Sequence, residues 1–325
     1  MIDRRTFVGL TAALLGIAPL RARAQSNAPA KIGFLGNANP TTGASQLESF
    51  RRGLRETGRV EGRDFTFVFR WADGDPDRLT TLVAELVAAR VDVIVLSGPL
   101  AMRAARDLTR TIPIVFVVLN DPVPMGFAQS LARPGGNMTG LASQYDELIT
   151  KQLQLLKETL PALTRIAILR HSQASASILT KAESSAKSLG LAARILTVAN
   201  VADLEGAFKQ ARNERVGAVH VLPSPYLGAN RAPLIALASR FRLPAFYELR
   251  LYVEDGGLMS YGPNLDDLYG RAATYVDRIL KGADPATMAI EQPGRFELVI
   301  NRKTAAALGL TIPPSVLQRA DEVIG

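Results

Sequence analysis

Short apolar runs alternate with amphipathic stretches along almost the whole chain. The run over 31–36 (Lys31-Ile32-Gly33-Phe34-Leu35-Gly36) is apolar and bounded by loop signals, which predicts a buried strand. Leu47, Phe50 and Leu54 recur at spacings of three and four, which predicts a helix over 45–57 that Gly58 ends. The alternation continues with strands over 65–71, 91–96 and 112–119 and helices over 76–89 and 100–109. Asp75 is placed to cap the 76–89 helix, with Pro76 at its first position, where a missing N–H costs nothing. Continuously apolar strands alternating with helices predict a parallel α/β sheet covered on both faces.

The rhythm breaks over 134–140 and a second alternation begins after Ser143. Helices are predicted over 147–160, 175–189, 201–213 and 231–241, with strands over 165–169, 193–198, 218–222 and 245–247. A strand over 257–261, a helix over 265–280, a strand over 296–300 and a short helix over 303–308 follow, and Pro313-Pro314 closes the ordered part. The fold class expected is α/β, with two doubly wound parallel-sheet lobes joined by a hinge around a ligand cleft. The N-terminal lobe is assigned 25–142 plus about 262–283, and the C-terminal lobe 143–261 plus about 284–325.

Open parallel sheets bind ligands beyond the carboxyl ends of their strands. That rule gathers Asn37, Ala38, Asn39, Ser97, Gly98, Asn120, Asp121, His171, Ser172, Gln173, Ser224, Tyr226, Tyr247 and Glu248 into one region, with Gln144, Tyr145 and Tyr261 on its hinge side. These amide, hydroxyl and aromatic groups suit hydrogen bonding and stacking on a small molecule. Asp121 is placed either to accept from a ligand ammonium or to cap a helix before Pro122. Asn37 and Asn39 either donate to a ligand carboxylate or serve turn geometry. Ser97 and Ser224 either hold a carboxylate or cap the helices after them. Trp71 and His220 read as core residues.

Charge and composition narrow the classes. The chain of 325 residues has 38 basic and 30 acidic side chains, net +8, and no cysteine. Disulfides, thiol catalysis and thiolate metal sites are therefore excluded, and two histidines make a histidine zinc site a poor expectation. No basic cluster with interleaved aromatics supports nucleic-acid binding. At the N-terminus Arg4-Arg5 precede an uncharged apolar run over 9–20, then Ala22-Arg23-Ala24. This pattern looks like a twin-arginine export signal over 1–24, with the mature chain starting near Gln25, outside the cytoplasm and without a lipid anchor. The signal contributes +3 of the net charge, which leaves a mature protein near +5. Neither a Walker phosphate loop, a Gly-x-Gly-x-x-Gly fingerprint nor a Gly-x-Ser-x-Gly elbow occurs. No catalytic residue, metal or cofactor is expected.

Ile32–Gly36, Glu61-Gly62-Arg63-Asp64, Asn120-Asp121-Pro122-Val123, the run Leu131-Ala132-Arg133-Pro134-Gly135-Gly136-Asn137-Met138-Thr139-Gly140 and Phe296-Glu297-Leu298-Val299-Ile300-Asn301 occur in that order. Together they resemble the ABC-transporter substrate-binding proteins that include tryptophan and tyrosine binders. The resemblance spans residues 31–322 and implies a class I periplasmic-binding-protein fold, capture of a solute between two lobes, and delivery to a membrane permease and its ATPase by a monomeric receptor. The Asp121 position matches the family pattern. Gly98-Pro99 stands where members often carry Thr-Pro, and Tyr247-Glu248 where aromatic amino-acid binders often carry Ser-Asp. Two other readings stay open: an exported α/β enzyme using Asp121 with Glu248 or His171, and a ligand-sensing partner of a membrane receptor.

Overall fold

The computed structural model describes residues 28–325; the expected export signal and cleavage site lie outside the described residues. Two sheets organise the chain. The first is five-stranded in the order β2-β1-β3-β4-β5: β1 Ala30–Gly36, β2 Phe65–Trp71, β3 Val93–Ser97, β4 Ile114–Leu119 and β5 Met138–Ala142. Every neighbouring pair in it is parallel. Its crossovers are α1 Ala44–Glu56, α2 Leu79–Ala88 and α3 Pro99–Leu108.

The second sheet is seven-stranded in the order β12-β11-β10-β9-β8-β6-β7. Its strands are β6 Arg165–His171, β7 Ala192–Val198, β8 Ala218–Val221, β9 Ala245–Tyr247, β10 Met259–Pro263, β11 Phe296–Asn301 and β12 Glu322–Ile324. Only the β10–β11 pair is antiparallel. The helices on it are α4 Tyr145–Thr159, α5 Ala176–Ser188, α6 Asp203–Asn213, α7 Pro225–Ala229, α8 Arg231–Arg240, α9 Arg250–Glu254, α11 Arg302–Ala307 and α12 Pro314–Leu317. Buried cores flank both sheets, as apolar-throughout strands require: Ile94, Leu96 and Phe116 on one side of the first sheet and Ile32, Phe34 and Val115 on the other.

The helix α10 Leu265–Leu280 departs from simple chain order. It follows β10 of the second sheet but packs against α1 and the first: Leu268, Ala272, Tyr275 and Val276 share a buried core with Phe50, Leu54 and Val95. Asn264 caps it by accepting from the Asp267 N–H. The following segment stays with the first sheet, because Met288 and Ile290 enter its cores and Glu291 bridges to Leu141. The return to the second sheet therefore falls after Glu291, later than the 283/284 boundary the sequence suggests.

Other differences from the sequence pattern are local. The stretch from Pro76 opens as a 3-10 turn, Pro76–Arg78, with Asp75 accepting from Asp77 N–H, and the α-helix starts at Leu79. Past Pro314 the chain does not fall away: α12 packs Val316 into the core, and the Asp321 carboxylate takes the Leu298 N–H and seats β12 at the sheet edge. His220 is fully buried on β8, where its Nε2 meets Gln152 Oε1 at 2.9 Å while Gln152 donates to the Tyr261 carbonyl at 2.7 Å. Burial pushes its pKa down to about 4, so it serves as a neutral core group.

Candidate ligand-binding site

Each sheet reverses its winding direction once along its parallel run, between β1 and β3 in the first and between β6 and β8 in the second. Loops leave in opposite directions at such a point and open a crevice. In this molecule both crevices open into one cavity of about 240 Å³ between the sheets.

On the first sheet the crevice is built by Asn37 after β1 and Ser97 at the end of β3. Asn37 Nδ2 donates to Ser97 Oγ at 2.7 Å and to the Ser97 carbonyl at 3.1 Å, so the amide is fixed and its Oδ1 faces outward from that bond. The Ser97 hydroxyl also meets Tyr269 of α10. Phe34 and Trp71 complete this wall, with ring centroids 5.8 Å apart. On the second sheet His171 and Tyr226 stack at 4.6 Å across the β6/β8 crevice. His171 Nε2 lies 3.2 Å from the Ala199 carbonyl and Nδ1 accepts from the Gln173 N–H, the pattern of a neutral ring protonated at Nε2. Desolvation holds its pKa below the ordinary histidine value.

Glu248, directly after β9, is the most unusual group in the lining. It is 2% exposed, and its Oε2 has no aligned hydrogen-bond partner among the described residues. Burial raises its pKa to about 7, while backbone N–H groups and the Tyr252 hydroxyl favour the charged form and offset only part of that cost. Tyr145 and Tyr252 flank it in the lining. Arg231 also lines the cavity, but its Nε is held by Asp255 Oδ2 at 2.8 Å.

The lobes touch at the mouth. Gly98 has φ +85, and a Cβ built on it would lie 2.9 Å from Pro225 Cγ of the other lobe. Asn230 Nδ2 reaches the Gly74 carbonyl at 3.4 Å. Farther in, Asn120 hydrogen-bonds Asp146 of α4, whose carboxyl burial pushes upward.

Of the residues expected at the cleft, Asn37, Ala38, Ser97, Gly98, Asn120, Tyr145, His171, Gln173, Ser224, Tyr226 and Glu248 line the cavity. Asn39, Asp121, Gln144, Ser172, Tyr247 and Tyr261 lie outside the lining. The Asn39 side-chain Oδ1 accepts from the Thr41 and Thr42 N–H groups, which is turn chemistry. Asp121 is exposed on a left-handed backbone (φ 45) and caps no helix, and Gln144 precedes α4 with φ 54. Tyr247 is fully buried behind Tyr252, stacked at 4.6 Å, and Tyr261 packs against Phe296 and the core of the second sheet. Of the candidate acid–base residues, Glu248 and His171 line the cavity and Asp121 does not. Ser224 lines the cavity and also caps α7, accepting from the Leu227 N–H.

Trp71, Tyr252, Tyr269 and Arg231 line the cavity without a signal that sequence reading used. Trp71 ends a strand, and the strand-end rule applied to it would have placed it there. Tyr252 sits on a five-residue helix with no visible periodicity, and Tyr269 faces inward only because α10 crosses to the other sheet.

Known proteins share this architecture. A conserved domain protein from Vibrio cholerae superposes with a TM-score of 0.83 at 27% identity, over 91% of this chain and 100% of its own. The structure of an ABC domain in complex with L-Trp from Streptococcus pneumonia gives a TM-score of 0.83 at 25% identity, again over 91% and 100%. A tyrosine-binding protein of Clostridioides difficile is 24% identical over 267 residues, 81% of this chain and 76% of its own. The fold these structures share with this chain is the periplasmic-binding-protein type I-like fold. The family model for ABC transporter substrate binding proteins matches residues 43–324, and the chain belongs to that family.

Proposed function

We propose that this protein is the extracytoplasmic solute-binding component of an ABC importer, a monomer that captures a small amphipathic carboxylate, aromatic or amino-acid-like, and presents it to a permease and its ATPase. The observation that carries the reading is the single cavity shared by the two switch points. Its walls combine rings (Phe34, Trp71, Tyr145, Tyr226) with fixed amide and hydroxyl groups (Asn37, Ser97, Ser224). A ring stacks on the former and a carboxylate accepts from the latter.

In this reading the moving bodies are 28–142 with 265–291 and 145–263 with 296–325. Ligand settles on one lobe, and closure is driven by its higher affinity for the closed arrangement, in which Gly98 meets Pro225 and Gly74 meets Asn230. Export through the Arg4-Arg5 signal would place the protein in the periplasm. Among the described residues no helix is long and apolar enough to cross a membrane.

The test is a thermal-shift panel of aromatic and aliphatic amino acids, their deaminated carboxylates and unrelated sugars. A ligand that binds only the folded state raises the melting temperature. An aromatic or amphipathic carboxylate is expected to do so; a shift by sugars alone overturns the ligand class.

A further inference from the structure

The edge of the second sheet farthest from the cavity carries a pattern that solute capture does not use. Parallel strands begin on one edge and end on the other, so the turns leading into β9, β8, β6 and β7 gather at the pole opposite the cavity. Across that edge, in this strand order, stand Arg242, then Arg212 and Arg215, then Arg165, then Lys187. All five are exposed, and Lys187, Arg212, Arg215 and Arg242 make no ion pair among the described residues. Glu214, the acid that lies among them, is half-buried and engaged by Arg194 at 3.1 Å and by Gln210 at 3.0 Å.

Two of these arginines sit where the backbone resists them. The helices α5, α6 and α8 end in the same turn, whose second residue past the helix is left-handed and donates its N–H to the carbonyl three residues back. After α5 that residue is Gly190 (φ 69), where a Cβ would meet nothing, so glycine serves the backbone alone. After α6 it is Arg215 (φ 55), and after α8 it is Arg242 (φ 52). A side chain costs stability at such a position. The helix dipole does not account for the arginines, because Lys187, Arg212 and Arg240 already place a cation in the last turn of each helix.

We propose that this pole is a docking surface for an anionic phospholipid bilayer, holding the exported receptor at the membrane by the end opposite its cavity. A guanidinium presents a planar fork of donors that matches phosphate oxygens. Exposed cations in a line along a sheet edge fit a flat array of headgroup phosphates rather than a single anion in a pocket. No aromatic ring in the row is exposed, as stacking on single-stranded nucleic acid would require. The proposal goes beyond the receptor reading, uses none of the cavity residues, and rests on that reading only for the protein's place beside a membrane.

The experiment is co-sedimentation of the processed protein, free of the cationic export signal, with vesicles of phosphatidylglycerol and phosphatidylcholine in equal parts, against phosphatidylcholine alone. Binding to the first only, weakening steeply between about 50 and about 200 mM salt, is the expected result. Arg165→Gln with Arg215→Gln and Arg242→Gln should weaken it about a hundredfold. Lys31→Gln with Arg103→Gln and Arg110→Gln removes equal charge from the first lobe and should stay within about threefold of wild type. Equal losses in the two triple variants, or no preference for the anionic vesicles, overturn the proposal. Arg215→Gly with Arg242→Gly should raise the melting temperature while weakening vesicle binding about thirtyfold. A lower melting temperature would mean that the arginines serve the fold, and would overturn it too. Capture of a thymidine oligonucleotide without binding to either vesicle would assign the row to nucleic acid instead. Ligand-induced stabilisation should be unchanged in every variant, so a failure here leaves the receptor reading standing.

Discussion

At the switch point of the first sheet, Asn37 and Ser97 hold each other in a neutral hydrogen bond beside Phe34 and Trp71. At the matching point of the second, a stacked His171–Tyr226 pair stands near a buried carboxyl. Among the described residues, the only charged group the first lobe brings to the lining is Asp75, exposed at the rim and occupied in capping a turn. The second lobe brings Glu248, His171 and Arg231. Equivalent topology has thus been given different chemistry: one wall offers shape and neutral hydrogen bonds, the other carries the ionisable groups. Proton-linked behaviour of the cavity should therefore belong to the second lobe alone.

The largest expected effect tests that assignment through stability. Glu248 titrates at about 7 in the fold against 4.5 unfolded, so the native state holds the extra proton and stability falls as pH rises through 4.5–7, by on the order of 3 kcal/mol. His220 acts in reverse: its value drops from 6.5 to about 4, so stability is lost as pH falls through 6.5–4, by on the order of 3 kcal/mol. In the wild type the two slopes largely cancel between pH 4.5 and 6.5. Urea unfolding against pH should show Glu248→Gln tilting the profile one way and His220→Gln the other; parallel profiles would break the assignment.

Next in size is Trp71→Ala in the neutral wall. The ring packs against Gly36 and Gly43 and stacks with Phe69, and removing a large ring from such packing costs about 2–3 kcal/mol, less than full burial because Trp71 is half-buried. The loss should be the same at pH 6 and pH 8, which separates the two walls. Gly98→Ala should cost about 1–2 kcal/mol from its left-handed backbone and weaken ligand binding through the Pro225 contact. Adding Pro225→Ala should restore binding and leave the stability loss in place. Smallest, Asn37→Ala should cost about 1 kcal/mol by freeing Ser97, read as a melting shift without pH dependence.

The lobes differ less in how legible they were from sequence. Strands such as Ile114–Leu119 announce themselves because burial on both faces demands apolar residues at every position. β5 does not, although all five of its residues are buried, because Gly140 interrupts it. That glycine is needed where the Phe116 carbonyl would lie 2.0 Å from a Cβ, a clash visible only once β4 and β5 are paired. β12 is three residues long and mostly exposed, placed by the reciprocal Asp321–Leu298 bonds and its ladder to β11 rather than by hydropathy. The site divides the same way. Strand-end residues were found by topology, whereas Tyr252 and Tyr269 reach the cavity through tertiary packing that local sequence does not encode. The strand-end rule also overreached at Tyr247, whose side chain points to the buried face.

The crossing of α10 has a consequence for timing. The face of the first sheet that carries Ile32, Phe34 and Val95 is covered by α1 together with residues 265–280, and the latter are made long after the strands themselves. A ribosome that has finished β5 has therefore made only part of the cover for that sheet, and the two halves of the chain cannot mature one after the other. The N-terminal lobe waits, with apolar surface bare, until nearly the whole polypeptide has emerged. During that interval the chain is open to chaperones and proteases, and only the docking of α10 closes it.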